Sequence, residues 1–210
     1  MKRALVPMYR QKANSIHCGS VCLLMALKYF KIKTDFKDIL TKVRYHKKRG
    51  TSIYELAIGA HKLGLKTLVL FTDFVNFSDE MFNLDKKELR KKIWLKWKKS
   101  KKMKKRLLYR SFFDYVSLNQ KPCLKIIETS DIKSLLKNGY LVLSPVHIPT
   151  FRKSNRKNKS HIILLTGYDK DFFYYNDPYP RTKGKSKINF QHFLASLYKT
   201  NNCAILGVKK

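Results

Sequence analysis

The chain has 210 residues, of which 44% are apolar and 13% aromatic. This length and composition predict one folded domain with a buried core and argue against a disordered tail. Forty-six lysines and arginines oppose 14 aspartates and glutamates, which gives a formal net charge of +32. Such a charge favours an acidic partner, substrate or surface. A genome-wide lysine bias would explain the same composition.

The sequence contains no recognisable membrane or secretion segment. The longest apolar stretch, Leu65–Phe77, is interrupted by Lys66, Thr72 and Asp73, and a membrane span needs ~18 apolar residues. The opening sequence MKRALVPMYRQK lacks the apolar core of a signal peptide. The four cysteines form no Cys-x-x-Cys pair and are too sparse for a disulfide scaffold. These features predict a soluble, cytoplasmic protein with a single domain over residues 1–210.

The first third of the chain is predicted to be mainly helical, because its apolar residues recur at helical spacing. The expected elements are an extended segment over 1–17, a buried helix over Cys18–Phe30, a short helix from Thr34 to Val43, a helix over Ile53–Leu63 and a strand over Leu65–Phe71. Ser52 is suited to cap the third helix, and Gly64 is suited to end it.

A strongly basic stretch follows. Lys86–Arg110 contains fourteen lysines or arginines and one glutamate. Its apolar positions are Leu89, Ile93, Trp94 and Trp97. The spacing predicts one basic amphipathic helix at about 85–110. Such a helix suits weak contact with a polyanion or an anionic membrane surface, although a solvated scaffold helix has the same pattern.

The second half of the chain is richer in strands. The expected elements are helices over Ser130–Lys137 and Ile188–Tyr198 and strands over Tyr140–His147, Ser160–Tyr168, Phe172–Asn176 and Ala204–Val208. Helices followed by antiparallel strands predict an α+β fold, with N-terminal helices packed on a C-terminal antiparallel sheet.

Cys18 is the first candidate for chemistry because it opens a buried helix. A thiol at a helix N-terminus is stabilised as thiolate by the helix dipole. Gly19 leaves room for a substrate backbone and for an amide directed at an oxyanion. Cys22 is predicted to be an inert core thiol. A metal site of His17, Cys18 and Cys22 is disfavoured because the spacing is poor for zinc. No cofactor is predicted.

A histidine and an aspartate in the second half form the other candidate pair. The two strands joined by the turn at Asp169–Asp171 predict a hairpin whose open ends carry His161 and Asp177. Counting inward from the turn puts both residues at about the same level, as a base and its orienting carboxylate require. His147 is a candidate for lining the same cleft. The remaining histidines, His17, His46, His61 and His192, are predicted to be bystanders or surface residues.

These segments together resemble a known family. CGSVCLLMALKYF, then ELAIGAHKLGLKTLVLF, then SHIILLTGYDKDFFYYNDP, are similar to the bacteriocin-processing peptidases. These are papain-like cysteine peptidases that cleave after double-glycine leaders, with free-standing relatives. The resemblance covers about residues 7 to 208. The double-glycine specificity does not transfer with the fold, and the chain lacks the G-x-x-x-x-G-K-[ST] motif of an exporter motor.

The resemblance implies a role for each candidate residue. Cys18 corresponds to the nucleophile, His161 to the general base and Asp177 to the orienting acid. Gln11 corresponds to the oxyanion donor, but it lies seven residues before Cys18, whereas the family usually has six. A one-residue bulge around Asn14 would restore the position.

Peptide or protein hydrolysis through a thioester is the implied reaction, and an acidic substrate would suit the charge. An amidase or transferase with the same triad stays open. So does a catalytically inactive papain-like module that grips acidic peptides, nucleic acid or anionic membrane through its basic surface.

Overall fold

The structure, a computed structural model, describes residues 2–45, 50–153, 160–200 and 203–210. Its helices are α1 (Cys18–Tyr29), α2 (Phe36–Lys42), α3 (Ile53–Lys62), α4 (Glu80–Asn83), α5 (Lys86–Lys99), α6 (Met103–Val116), α7 (Thr129–Lys137), α8 (Ile148–Arg152) and α9 (Phe190–Tyr198). Its strands are β1 (Lys2–Arg3), β2 (Lys66–Phe71), β3 (Cys123–Leu124), β4 (Leu141–His147), β5 (Ser160–Tyr168), β6 (Phe172–Asn176), β7 (Lys185–Asn189) and β8 (Ala204–Lys209). The α+β prediction is confirmed.

The strands form one mixed sheet in the order β3-β2-β8-β4-β5-β6-β7, and β1 pairs with the far end of β5. All of these pairings are antiparallel except β2 with β3. The early strand β2 lies between β3 and β8, so the sheet is assembled from both halves of the chain.

Helices cover both faces of the sheet, and the alternation along β4 shows how. Leu141 and Leu143 belong to one hydrophobic cluster, which also includes buried residues of α1, α2, α3, α5 and α6. Val142 and Val146 belong to a second cluster, which includes buried residues of α7 and α9. Successive side chains of a strand point to opposite faces, so the central strands are apolar on both sides.

The helices α1 and α3 begin where the sequence predicts, whereas α2 begins at Phe36, two residues after the predicted start at Thr34. The Asp35 side chain accepts from the Asp38 amide at the start of α2. Ser52 and Glu55 form a capping box at the start of α3, which satisfies amides that have no partner within the helix. Gly64 follows α3 with a φ of +86°, a conformation that glycine adopts without steric cost. The boundaries of α2 and α3 are therefore fixed by local hydrogen bonds and by one glycine.

The prediction of one basic helix at about 85–110 is wrong. The chain forms two helices, α5 and α6, and turns back between them, where Ser100 and Lys102 have extended ψ values of 115° and 118°. Trp97 of α5 then meets Phe113 of α6, with ring centroids 5.9 Å apart. The hairpin buries two apolar stripes at once, which a single straight helix of this length would leave half exposed.

The predicted helix over Ile188–Tyr198 begins later than expected. Lys185–Asn189 forms the edge strand β7, and α9 starts at Phe190, with the Asn189 side chain accepting from the Gln191 amide. Lysine-rich edge strands are common because the charge prevents further strand pairing, but such a short polar strand has little apolar alternation. Within the described ranges, no helix combines the length and apolarity that a membrane span requires.

Candidate active site

Three elements bring Cys18, His161 and Asp177 together. Cys18 is the first residue of α1, His161 lies near the start of β5, and Asp177 follows the last residue of β6. His161 Nε2 donates to Asp177 Oδ1 at 2.7 Å, which leaves Nδ1 to face the Cys18 thiol. Cys18 is half-buried, whereas His161 and Asp177 are buried. A thiol that a reagent or substrate can reach is therefore backed by a shielded imidazole and carboxylate.

The three groups shift one another's protonation. Burial opposes ionisation of the Cys18 thiol, but the hydrogen bond and charge of His161 outweigh it, so the pKa of Cys18 falls below its ordinary 9.0. Burial also opposes protonation of His161, but the hydrogen bonds and charges of Asp177 and Cys18 raise the pKa of His161 from 6.5 to about 9. Both shifts favour a thiolate–imidazolium pair.

His161 is not the only group that holds the Asp177 carboxylate in place. Arg152 Nη2 donates to Asp177 Oδ2 at 2.9 Å, and the Tyr179 amide donates to Oδ1 at 2.9 Å. The Arg152 guanidinium also lies over the Tyr179 ring, 4.6 Å from its centroid. Burial raises the pKa of Asp177, but the contacts with His161, the Tyr179 amide and Arg152 lower it overall. The carboxylate is thus fixed in position and ionised.

Sequence reasoning missed both Arg152 and Tyr179. Arg152 belongs to FRKSNRKNK, a polar stretch that contains several other cations. The structure places it in the last turn of the short helix α8. No pattern in the sequence distinguishes this arginine from its neighbours.

The hairpin brings His161 to Asp177, but with a different register from the prediction. Leu164 pairs with Asn176, and an irregularity lies between Leu165 and Gly167. Continuing this register puts Asp177 opposite Ile163, two residues away from His161. The contact forms because diagonal neighbours on one face of a sheet are within reach of long side chains.

Gln11 lies in the same region, and the chain before Cys18 contains a turn. Asn14 has a φ of +59°, and the Ser15 amide donates to the Lys12 carbonyl at 3.1 Å. Gln11 is buried, and its Nε2 donates to the Ser15 carbonyl at 2.8 Å. Among the described residues, Gln11 Oε1 has no hydrogen-bond partner. The turn lies at Asn14, where the sequence predicts a bulge.

Gly19 does not leave room for substrate as expected. A Cβ on Gly19 would lie 2.9 Å from Leu56 Cδ1 and 3.1 Å from Ile162 Cδ1. The absent side chain therefore allows α1 to approach α3 and β5 closely. Gly19 still contributes its backbone, because its amide is hydrogen-bonded to the Cys18 sulphur.

His147 was expected to line the cleft, but its ring is used in the fold. Its Nδ1 lies 2.8 Å from Thr150 Oγ1, and it also accepts from the Thr150 amide as the N-cap of α8. Pro145 and Ile148, on either side of it, contact the groove instead. The physical reason is that α8 starts immediately after β4, so the first side chain before the helix caps it.

The other cysteine and histidine candidates that the structure describes lie outside the cluster of Cys18, His161 and Asp177. The Cys22 thiol donates to the Ile162 carbonyl at 3.4 Å, and burial raises its pKa well above 9.0. The His17 ring packs against Tyr45, with centroids 4.4 Å apart. His192 Nε2 lies 2.7 Å from the Thr150 carbonyl, and His61 is half-buried in the last turn of α3. His46 lies outside the described residues.

A groove of about 1350 Å³ passes the thiol and the imidazole. Gln11, Arg152 and Tyr179 line it beside Cys18 and His161. Its walls also include Tyr54, Asp73, Asn76 and Lys105. This volume exceeds the ~300–1,000 Å³ that is typical of small-molecule pockets.

The α+β fold on which the thiol, imidazole and carboxylate lie together is that of the papain-like peptidases. The model of the Peptidase_C39 like family matches residues 4–205. The chain therefore belongs to the Peptidase_C39 like family, and at family level it is a peptidase of the cysteine class. No curated protein matches the sequence.

Solved structures are similar in fold. One is a double glycine motif protease from an AMS/PCAT transporter in complex with the leader peptide (17% identity, 99% of this chain and 94% of that chain, TM-score 0.52). Another is the peptidase domain of Streptococcus ComA, a bi-functional ABC transporter involved in a quorum sensing pathway (12%, 96% and 96%, 0.50). A third is described as a C39-like peptidase from Bacillus anthracis (15%, 100% and 98%, 0.55). At these identities the likeness extends to the fold.

Proposed function

We propose that the protein hydrolyses peptide bonds with Cys18 as nucleophile, His161 as acid and base, and Asp177 as the group that orients His161. The observation that carries the proposal is the contact of all three groups beside an open groove. The Cys18 sulphur attacks the carbonyl carbon and forms a C–S bond. His161 gives its proton to the departing amine as the C–N bond breaks.

The second half of the reaction regenerates the enzyme. His161, now neutral, takes a proton from a water molecule, whose oxygen attacks the thioester carbon. The C–S bond breaks, the acid product leaves, and the thiolate–imidazolium pair is restored. During both steps the main-chain amide of Cys18 and the remaining N–H of Gln11 Nε2 are the donors we assign to the oxyanion.

The substrate class follows from the groove and the fold. One structural neighbour holds a leader peptide, which supports an extended peptide segment as the substrate here. Water as acceptor makes the protein a hydrolase, and an amine acceptor in the same site would make it a transferase.

The alternative of an inactive binding module has less support. A module that only binds peptides has no use for a reachable thiol whose pKa is lowered by a buried imidazole. We also infer a reducing compartment such as the cytoplasm, because all four cysteines are free and an activated thiolate is readily oxidised.

The pH dependence of iodoacetamide labelling tests the proposal. Because the pKa of Cys18 is below 9.0 and that of His161 is about 9, the ion pair should persist on the acid side of 9 and disappear as His161 deprotonates. We expect Cys18 to label at pH ~6, well below the range of an ordinary thiol. Hydrolysis of a peptide library should fall as the pH rises through about 9.

Matched variants make this test specific. His161→Ala should move the labelling midpoint of Cys18 upwards, and Cys18→Ala should abolish hydrolysis. Cys123→Ala is the control, since Cys123 is an exposed free thiol in the edge strand β3. Labelling of Cys18 that is unchanged by His161→Ala would show that the thiol is not activated and would remove the proposal.

A further inference from the structure

A second depression, separate from the cysteine site, lies between α5 and α6. It has a volume of about 600 Å³. Its lining lysines are Lys92, Lys96, Lys99, Lys101, Lys102 and Lys105. Leu95, Ser100 and Tyr109 complete the wall. We call this depression the lysine pocket. It exists only because the basic segment folds back on itself after Ser100.

The cations of the lysine pocket are not neutralised by the protein. Within the described ranges, none of the six lysines forms an ion pair with a carboxylate. Six like charges around one depression repel each other, and an anion placed among them relieves that repulsion. Surface lysines that serve only solubility are usually dispersed with acidic residues, which is not the arrangement here.

The lysine pocket adjoins the groove of the candidate active site. Lys105 lines both. Tyr109, which lines the lysine pocket, donates from its hydroxyl to Asn76 Oδ1 at 3.5 Å, and Asn76 lines the groove. The Asp73 carboxylate in the groove accepts hydrogen bonds from the main-chain and side-chain amides of Asn76 at 2.9–3.1 Å. Lys105 is thus the boundary between the two depressions, and a substrate that extends past it along the surface meets the other lysines.

We propose that the lysine pocket is an exosite for an acidic segment of the polypeptide whose scissile bond lies at Cys18. This inference rests on the proposed function and adds the substrate's charge and the place where that charge binds. A polypeptide fits better than a nucleic acid or a membrane, because the lysines line a depression next to the groove in which the scissile bond would lie. The exposed side of Leu95 adds apolar contact with the substrate backbone.

Binding to the inactive Cys18→Ala protein tests the exosite without relying on catalysis. The probe is a fluorescent peptide with a glutamate-rich half, compared with the same peptide carrying glutamine at each glutamate. The test variant is Lys96→Gln/Lys99→Gln/Lys102→Gln. The control variant is Lys33→Gln/Lys137→Gln/Lys170→Gln, which removes the same charge from exposed lysines outside the groove and the lysine pocket.

We expect the acidic peptide to bind more tightly than the neutral one, and the pocket variant to weaken it about tenfold, since each exposed pair changes affinity about 1.4- to 5-fold. The control variant should weaken it much less. Equal losses in both variants would reduce the effect to net charge and overturn the exosite. Tighter pocket-dependent binding of a single-stranded RNA or of phosphatidylserine vesicles would overturn the polypeptide as its ligand.

The active protein separates the exosite from the proposed function. With the exosite, the pocket variant should cleave acidic peptides less efficiently through a higher KM, and neutral peptides as before. Hydrolysis that does not depend on substrate charge would leave the peptidase standing and remove the exosite. If the acidic peptide binds at the lysine pocket but the protein hydrolyses no peptide, the binding site stands and the peptidase proposal is removed.

Discussion

At the residue scale, the carboxylate that contacts His161 is also held by a side chain that does not touch the imidazole. Arg152 contacts Asp177 Oδ2, while His161 contacts Oδ1 of the same carboxylate. Arg152 also stacks on Tyr179, whose ring is 6.1 Å from that of His161 at 84°. Because Arg152 is linked to the imidazole only through the carboxylate and the tyrosine, we infer that it is a positioning residue.

The Arg152→Ala variant distinguishes two roles for Arg152, namely orienting the Asp177 carboxylate and acting only as a nearby positive charge. In Arg152→Ala, Asp177 loses one charge-assisted hydrogen bond and can rotate away from His161. We expect the pKa of His161 to fall below about 9 and kcat to fall about tenfold, the result of losing ~1.4 kcal/mol. An NMR titration of His161 measures the first, and steady-state kinetics the second.

The opposite shift would contradict the positioning role. If Arg152 acted only as a nearby positive charge, its loss would raise the pKa of His161, because a repulsion between cations would be removed. Arg152→Lys is the matched control. It keeps the charge and a donor but loses the planar stack on Tyr179, so its His161 titration should stay closer to that of the parent.

At the element scale, the packing of α2 against α3 depends on one glycine. A Cβ on Gly59 would lie 2.3 Å from Val43 Cγ1 and 3.0 Å from the Val43 Cα. Val43 is the C-cap residue of α2 and is fully buried. Because part of the clash is with backbone, a side-chain rotation cannot relieve it. The helix axes would have to separate.

Gly59→Ala should therefore destabilise the protein despite improving helix propensity. Alanine is favoured over glycine inside a helix by about 1 kcal/mol, and overpacking of a tight core costs about 1–3 kcal/mol. We expect the free energy of unfolding, from urea denaturation, to fall by about 1 kcal/mol. Val43→Ala in the same chain should recover part of that loss. A net gain in stability would show that α2 and α3 are not closely packed there.

The hairpin of α5 and α6 shows how an element boundary escapes sequence patterns. Leu89 and Ile93 are buried as their spacing predicts, but Trp94 is 41% exposed and Lys98 lies over its ring at 5.6 Å. A hydrophobic stripe shows which helix face is inward and contains no signal for a reversal. The break after Lys99 is selected because α6 packs on α3, which is distant in the sequence.

At the scale of the whole molecule, charge is the dominant feature. Two hydrophobic clusters share one sheet, and the chain carries 46 lysines and arginines against 14 aspartates and glutamates. The described ion pairs, such as Lys125–Asp131 and Arg152–Asp177, offset only a small part of this excess. Net repulsion between surface lysines should therefore reduce the stability of the fold at low salt.

Salt should stabilise the protein. The Debye length falls from about 10 Å at ~0.1 M to about 3 Å at ~1 M, so repulsion is screened more than the few attractive pairs. We expect Tm to rise by about 2–8 °C over this range in sodium chloride, the equivalent of ~1–2 kcal/mol at this chain length. Differential scanning fluorimetry measures this shift.

The control variant of the exosite experiment also tests whether charge repulsion lowers the stability of the protein. Lys33→Gln/Lys137→Gln/Lys170→Gln lowers the net charge without touching a described hydrogen bond. Its Tm should be higher than that of the parent at low salt and should change less as salt is added. A Tm that falls with added sodium chloride would mean that attractive pairs outweigh the repulsion.

The sequence by itself determined the features that depend on local pattern. The apolar periodicities of α1, α3 and β5 and the turn between β5 and β6 were predicted, because helix and strand periods and turn residues act over a few residues. The family and its α+β fold followed from the segments around Cys18, His161 and Asp177. The assignment of roles to these three residues came from resemblance and stays a proposal.

Only the tertiary structure decided the features that depend on distant contacts. The place of β2 inside the sheet, the reversal between α5 and α6, the position of Arg152 behind Asp177 and the packing of Gly19 against Leu56 all join residues far apart in sequence. A lysine or arginine in a basic segment looks the same whether it faces solvent, a carboxylate or a groove. Its environment, rather than its identity, sets what it does.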